Sequence, residues 1–218
     1  MKKKITAFVP IKLESKRLKN KNILDFLGKP LCFHIFQNLL KVKYVDQVYV
    51  YCSNEKIKKY IPKAIKFKKR PKKLDGEFVK GLEIYKSFAS LVDSDYYLLC
   101  HATSPLLSNE SIDSMLNIFF NDEIDYDSAL SVQRINTFCW FSGQAINYNP
   151  KDIPRTQDIE PVFVETSGFY LFSKKIILED SRRVGNNPLL YELDFFEGYD
   201  IDTPADFELL KKINFKHE

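Results

Sequence analysis

Ile5-Thr6-Ala7-Phe8-Val9 is an apolar run, and Pro10-Ile11-Lys12-Leu13-Glu14-Ser15-Lys16-Arg17-Leu18-Lys19-Asn20-Lys21-Asn22, which follows it, is a cationic turn. A short apolar run that ends in such a turn reads as a buried strand opening into a loop. In open α/β sheets, ligands bind outside the carboxyl ends of the strands, where loops present amides and lysines to anions. The segment therefore predicts a polyphosphate site. It matches neither Gly-x-x-x-x-Gly-Lys-Ser/Thr nor Gly-x-Gly-x-x-Gly, because no glycine precedes Gly28. The positive charge has to come from side chains, and the plain alternative is a solvated basic turn.

Apolar runs of strand length recur at 48–52, 64–67, 96–100, 128–132, 162–172 and 190–196. Helical patterns separate most of them. Pro30 suits the first turn of a helix over 31–42, on which Leu31, Ile35 and Leu39 share a face. Further helices are expected over 55–60, 77–91 and 109–120, the last behind Ser108 as its cap. Strands buried on both faces and alternating with helices predict an α/β fold with a doubly wound, mostly parallel sheet. Residues 1–218 read as a single domain. Residues 134–164 break the pattern with Trp140, Pro150, Pro154 and Pro161, and are expected to leave the sheet as an excursion. Its aromatics, Phe138, Trp140, Phe141 and Tyr148, suit either a local core or a subunit interface.

With 218 residues, 44% of them hydrophobic, the chain can bury one substantial core. Cys32, Cys52, Cys100 and Cys139 show no zinc-like or disulfide-framework spacing and read as small buried hydrophobes in a reducing cytoplasm. The start Met1-Lys2-Lys3-Lys4 precedes an apolar stretch too short for a signal peptide, and no segment has the roughly 18 apolar residues of a membrane span. A cytoplasmic protein with no membrane partner is expected. The net charge of +4 is modest. Much of its excess lies over 56–73, and within it Lys alternates with apolar residues over 63–68 as on an edge strand, so no nucleic-acid partner is expected.

A second signal lies near the carboxyl terminus, in Gly198-Tyr199-Asp200-Ile201-Asp202-Thr203-Pro204-Ala205-Asp206-Phe207. Thr203 suits a helix N-cap, Pro204 the first helical position and Asp206 the first turn. Asp200 and Asp202 stand just before it, and alternate residues of an extended stretch point the same way. Both carboxylates can then meet one Mg2+ carrying a triphosphate, or else serve only the helix cap. A third signal is His101-Ala102-Thr103-Ser104-Pro105 after the run at 96–100. There an imidazole and hydroxyls could orient a sugar, or His101 could be structural.

In this order the three segments resemble the CMP-N-acetylneuraminate synthetase family of cytidylyltransferases. Pro10, Ser15, Lys16, Lys21 and Asn22 match its first loop, and Cys52-Ser53-Asn54 stands at its Ser-Thr-Asp. Arg70-Pro71 matches its Arg-Pro, 101–107 its Gln-Pro-Thr-Ser-Pro-Leu-Arg, Ser167-Gly168-Phe169-Tyr170 its Asn-Gly-x-x-Tyr, and 200–203 its Asp-Ile-Asp-Thr. The resemblance implies a Rossmann-like nucleotidyltransferase fold. It also implies transfer of CMP from CTP to a sugar or sugar-acid acceptor, with release of pyrophosphate, in surface polysaccharide or glycoconjugate biosynthesis. On matching positions, Lys12, Lys21, Asp200 and Asp202 would be catalytic, with magnesium on the two aspartates. Lys12, Ser15, Lys16, Lys21, Asn22, Ser53 and Arg70 would bind the nucleotide. His101, Thr103, Ser104, Arg155 and Glu165 would face the acceptor, Arg155 from the excursion across a homodimer interface.

Departures from the family pattern are as informative. Lys12 stands where the family has arginine, Leu13 and Glu14 where it has glycines, and Leu107 where it has arginine. Glu165 replaces the family's arginine for the sugar carboxylate, and a glutamate there would repel such a group. These departures predict an acceptor other than sialic acid. Two rival functions remain open: a nucleotide-sugar-dependent glycosyltransferase, which would carry its Asp-x-Asp nearer the middle of the chain, and a degenerate nucleotide-binding module.

Overall fold

The computed structural model describes residues 3–15 and 17–214. Seven strands build the main sheet: β1 (Ile5–Ile11), β2 (Gln47–Cys52), β3 (Lys66–Lys69), β4 (Tyr96–Cys100), β5 (Ser128–Ile135), β6 (Val162–Ser173) and β7 (Pro188–Glu192). Their spatial order is β7, β5, β6, β4, β1, β2, β3. β1 lies parallel between β2 and β4, β3 is parallel to β2, and β7 is parallel to β5. β6 runs antiparallel to both β4 and β5. The carboxyl ends of β1, β2 and β4 therefore open at the same edge as the amino-terminal half of β6. The expected mostly parallel sheet is observed, with β6 as the reversed strand.

The described residues form five α-helices: α1 (Leu31–Leu39), α2 (Gly81–Leu91), α3 (Asn109–Asn121), α4 (Lys174–Leu178) and α5 (Pro204–Asn214). Ile35, Phe36 and Leu39 of α1 and Ile112, Met115 and Leu116 of α3 pack with Ala7, Val9, Val50 and Leu98 on one face. On the other face, Tyr85 and Phe88 of α2 and Ile176 and Ile177 of α4 pack with Phe8, Tyr51, Tyr97 and Leu99. Alternate side chains of β1 thus enter opposite cores, which explains why its sequence is continuously apolar. A third cluster of Phe26, Leu31, Ile201, Phe207 and Leu210 fastens α5 and the turn before it to α1 and the short hairpin at 25–30. That cluster brings the carboxyl-terminal aspartates beside the first loop.

Local signals place most helix starts. The Ser108 hydroxyl accepts from the Ser111 N–H at 3.0 Å, and the Asp206 carboxylate accepts from the Thr203 N–H at 2.7 Å and the Asp202 N–H at 3.0 Å. The Asp206 carboxyl loses some ionisation to burial, yet those hydrogen bonds hold it below the usual carboxylate range. The segment expected as a helix over 55–60 is a 3-10 helix, and α2 starts at Gly81 rather than 77, with residues 77–80 in a loop.

Two strands shift from their expected positions. The Ile65 N–H donates to Pro62 O, a turn that delays β3 to Lys66. β7 ends at Glu192, because Leu193 turns into the core and Phe195 and Phe196 face solvent. The excursion is shorter than 134–164, since Ile135, Arg134 and Gln133 pair with Val162, Phe163 and Val164 as extensions of β5 and β6. Between them Trp140–Phe141 and Gln144–Ala145 form a hairpin that turns through Ser142 and Gly143, with φ of 49° and 79°.

Cys32, Cys52 and Cys100 are buried thiols, and burial pushes Cys32 up to about 12. Among the described residues, no helix is long and apolar enough to cross a membrane.

Candidate active site

The first loop is folded by side chains rather than by glycine. The Asn22 amide donates to Lys12 O at 2.9 Å, the Ser15 hydroxyl accepts from the Lys21 N–H at 3.2 Å and donates to Leu18 O, and Asn20 takes the left-handed conformation at φ 57°. This folding directs the buried Lys21 at the turn before α5. Its ammonium donates to Ile201 O at 2.6 Å and to Asp202 Oδ1 at 2.9 Å. Arg17 closes the other side of that carboxylate, with Nη1 at 2.6 Å from Asp202 Oδ2. The Ile201 N–H donates to Thr103 O at 2.8 Å, which ties the aspartate turn to the loop after β4.

The two aspartates are not equivalent. Partial burial opposes ionisation of Asp202, but Lys21 and Arg17 outweigh it and hold its carboxyl below the usual range. Burial pushes the Asp200 carboxyl up, the Asp202 charge adds to that, and Asp200 Oδ1 has no hydrogen-bond partner. Both border one cavity of about 360 Å³ together with Lys12, Arg17, Lys21 and His101. A buried, unpartnered carboxylate oxygen beside a second carboxylate suits a hard divalent cation whose other ligands are phosphates and water. The donor set fits magnesium in that form. Among the described residues there is no cluster of three or more His, Cys, Asp or Glu that could hold a metal by itself.

His101 forms the far wall. Ser167 O can only accept, so Nδ1 carries the hydrogen of their 2.8 Å contact, and Nε2 is left to accept from the Tyr85 hydroxyl at 3.4 Å. Burial lowers the pKa of this imidazole, keeping it neutral. Ser167 lies where the pairing of β6 with β5 breaks, between Glu165 and Tyr170. The adjacent Gly168 is required by close approach: a Cβ there would stand 2.8 Å from Ser131 Oγ, which is fixed by the Phe169 N–H at 2.9 Å.

On the other side of Lys12 lies a cavity of about 700 Å³ bordered by Ser15, Ser53 and Asp75. Asp75 organises this wall. Its carboxylate accepts from Arg70 Nη2 at 2.7 Å and from the Ser53 hydroxyl, and its carbonyl accepts from Lys12 Nζ. Arg70 is only 2% exposed, so Asp75 neutralises a buried cation. Asp75→Ala leaves that guanidinium unpaired, and a loss of about 3 kcal/mol in stability is expected, read by denaturant unfolding. A loss below about 1 kcal/mol would show that water reaches Arg70 freely.

The structure thus gathers Lys12, Ser15, Lys21, Asn22, Ser53, Arg70, His101, Thr103, Asp200 and Asp202 around a cleft of three adjoining cavities that share Lys12. Lys16 lies outside the described residues. Ser104 is not part of the lining of these three cavities, and its hydroxyl is buried without a partner. Arg155 sits on the excursion, ion-paired with Asp158 at 2.6 Å and 73% exposed. Glu165 does not line these cavities either and is paired with Arg183 at 2.8 Å. The sequence reading missed Arg17, Asp75, Tyr85, Ser167 and Arg183 as parts of this region. Arg17 was within reach, as another cation of the same loop. Tyr85 had only the signature of a core residue, and Asp75 and Arg183 had none.

A family model described as cytidylyltransferase matches residues 6–217. The chain belongs to the cytidylyltransferase family. It is 25% identical to the pseudaminic acid cytidylyltransferase of Campylobacter jejuni subsp. jejuni serotype O:2, over 94% of this chain and 94% of that one. It is 26% identical to the N-acylneuraminate cytidylyltransferase of Escherichia coli O18:K1:H7, over 99% of this chain but 53% of that protein, so it spans about half of it. Among solved structures, CMP:2-keto-3-deoxy-manno-octonic acid synthetase complexed with CTP superposes with a TM-score of 0.76 at 18% identity, covering 99% of this chain and 100% of that one. The 4-diphosphocytidyl-2C-methyl-D-erythritol synthase of Anaerococcus prevotii superposes at 0.66 with 11% identity, over 98% and 99% of the two chains. These likenesses show that the cytidylyltransferase shares its fold with both. The family match over residues 6–217 sets aside the glycosyltransferase reading.

Proposed function

We propose that this cytidylyltransferase transfers CMP from CTP to a sugar-acid acceptor and releases pyrophosphate, as a cytoplasmic step of glycoconjugate biosynthesis. The observation that carries this reading is the cleft in which Lys12, Arg17 and Lys21 face Asp200 and Asp202 at the carboxyl ends of the parallel strands. In the transfer, the acceptor hydroxyl oxygen bonds to the α-phosphorus and gives up its proton to solvent, while the bond to the bridging oxygen of the β-phosphate breaks and pyrophosphate leaves with the electron pair. Charge builds on the leaving and equatorial oxygens, and the cations of the first loop neutralise it. Asp200 and Asp202 would hold magnesium, which supplies further neutralisation of the phosphates when bound. The neutral His101 and Ser167 border the same cavity and suit hydroxyl recognition. Incubation with CTP, magnesium and a panel of sugar acids, with pyrophosphate and product mass as readouts, tests the reading. Absence of pyrophosphate across acids, neutral sugars and the other nucleotide triphosphates would leave a nucleotide-binding module instead.

A homodimer is part of the proposal. The excursion presents Trp140, Phe141 and Ile153 at 58%, 72% and 66% exposure, an apolar surface suited to a second copy of the chain. Arg155, on the same excursion, would then face the partner's cleft. Sedimentation velocity is expected to show a dimer that Trp140→Glu with Phe141→Glu converts to a folded monomer. A monomeric wild type overturns this part.

A further inference from the structure

The ion pair of Glu165 and Arg183 stands beside the cleft and takes no part in the nucleotide chemistry above. Arg183 Nη2 donates to Glu165 Oε2 at 2.8 Å, and its guanidinium carbon lies 4.0 Å from the centroid of the Tyr170 ring. The Tyr170 hydroxyl donates to the same carboxylate oxygen at 2.8 Å. One face and one edge of the guanidinium are therefore held by the protein. The loop carrying it is anchored on both sides. The Arg182 N–H donates to Ile176 O at 3.0 Å, the Gly185 N–H to the Ser128 hydroxyl at 2.8 Å, and the Asn186 N–H to Asp127 Oδ2 at 2.6 Å. A half-exposed arginine fixed in this way has little freedom left to lose when it binds a ligand.

Position supports a role toward the acceptor. Arg183 and Tyr85 border a cavity of about 330 Å³. Tyr85 also borders a neighbouring cavity of about 320 Å³ with Lys12, Arg70 and His101, and His101 continues into the cavity of Asp200 and Asp202. Tyr85 is the shared wall, and Gly81 leaves room for it, since a Cβ there would stand 2.8 Å from the Tyr85 hydroxyl.

We propose that Arg183 binds the carboxylate of the acceptor, with Glu165 and Tyr170 as positioning residues; this rests on the cytidylyl-transfer reading. Glu165 engages one amino nitrogen, the Tyr85 hydroxyl takes a further hydrogen bond from the guanidinium, and the remaining N–H donors are left for a second oxyanion. The sequence reading, in which Glu165 repels a sugar acid, is thereby reversed: its charge is spent on orienting a cation supplied from the loop after α4. A glutamate can then occupy β6 at this point without excluding an anionic acceptor.

The test measures KM and kcat for N-acetylneuraminate, pseudaminate and 3-deoxy-manno-octulosonate, each as free acid and as methyl ester, with CTP binding followed separately by calorimetry. For the best acid, Arg183→Ala is expected to raise KM about 10- to 100-fold, to leave CTP affinity within about twofold, and to abolish the preference for acid over ester. Arg183→Lys should recover little, because an ammonium lacks the planar fork. Glu165→Gln should raise KM for the acid about severalfold without moving kcat. An unchanged KM for the acid in folded Arg183→Ala overturns the inference, as does a wild type that uses neutral sugars or esters as readily as acids. A wild type that fails to bind CTP overturns the underlying reading, and this inference with it.

Discussion

Lys21→Met is expected to slow pyrophosphate release from CTP about a hundredfold to a thousandfold while the protein stays folded. The ammonium of Lys21 is buried and held at 2.6 Å from Ile201 O and 2.9 Å from Asp202 Oδ1, so it enters the cleft at a fixed point with little solvent around it. A cation preorganised where charge develops typically contributes a few kcal/mol to the barrier. Methionine keeps the apolar stem of the side chain and removes the charge. Asp202 keeps Arg17 at 2.6 Å, so the substitution does not strand a carboxylate, and the melting temperature should fall by no more than a few degrees. Single-turnover kinetics beside a thermal melt separate the two effects. A rate within about tenfold of wild type in a folded protein would remove Lys21 from the transition state.

Asp200→Asn is expected to have effects of opposite sign on activity and stability. The Asp200 carboxyl is pushed up by burial, and its Oδ1 is unpartnered, so the folded protein without ligand pays for an unfavourable charge at neutral pH. The sign follows from linkage. A carboxyl raised on folding favours the folded state while it is protonated and loses that contribution as pH rises through its folded pKa. At neutral pH the amide removes the cost, and stability should rise by about 1 kcal/mol, or about 2–4 °C in melting temperature. The same change removes an anionic oxygen donor from the proposed magnesium site, so turnover should fall about a hundredfold or more. Asp202 carries the opposite expectation for stability. Its carboxyl is held low by Lys21 and Arg17, and Asp202→Asn should destabilise. If the two variants melt alike, the inequivalence of the carboxylates has no energetic content.

The two aspartates also mark the boundary of sequence legibility. Their alternation before a capped helix was readable, because the Thr203-Pro204-Asp206 signal is local and its hydrogen bonds span a few residues. Which carboxylate is paired and which is buried alone was not, because it depends on a loop some 180 residues away reaching Asp202. Arg70 illustrates the same limit. Its place after an edge strand was legible, but not its neutralisation by Asp75, which requires the 3-10 turn over Lys72–Asp75 to fold back on it. Glu165 is the sharpest case: charge at its own position implied repulsion of an acid, while the cation that answers it comes from another segment.

By itself, then, the sequence determined the alternation of strands and helices, the doubly wound class, and a cationic first loop. Those properties follow from periodicity and composition within short windows, where burial on two faces dictates apolar runs and a loop dictates charge. The tertiary structure decided how the loop's charges are spent. Cluster packing of Phe26, Leu31, Ile201, Phe207 and Leu210 carries the aspartate turn onto the loop. The reversal of β6 brings Ser167 to His101. Ion pairing depends on distances of a few ångströms between residues far apart in the chain, and only packing sets them.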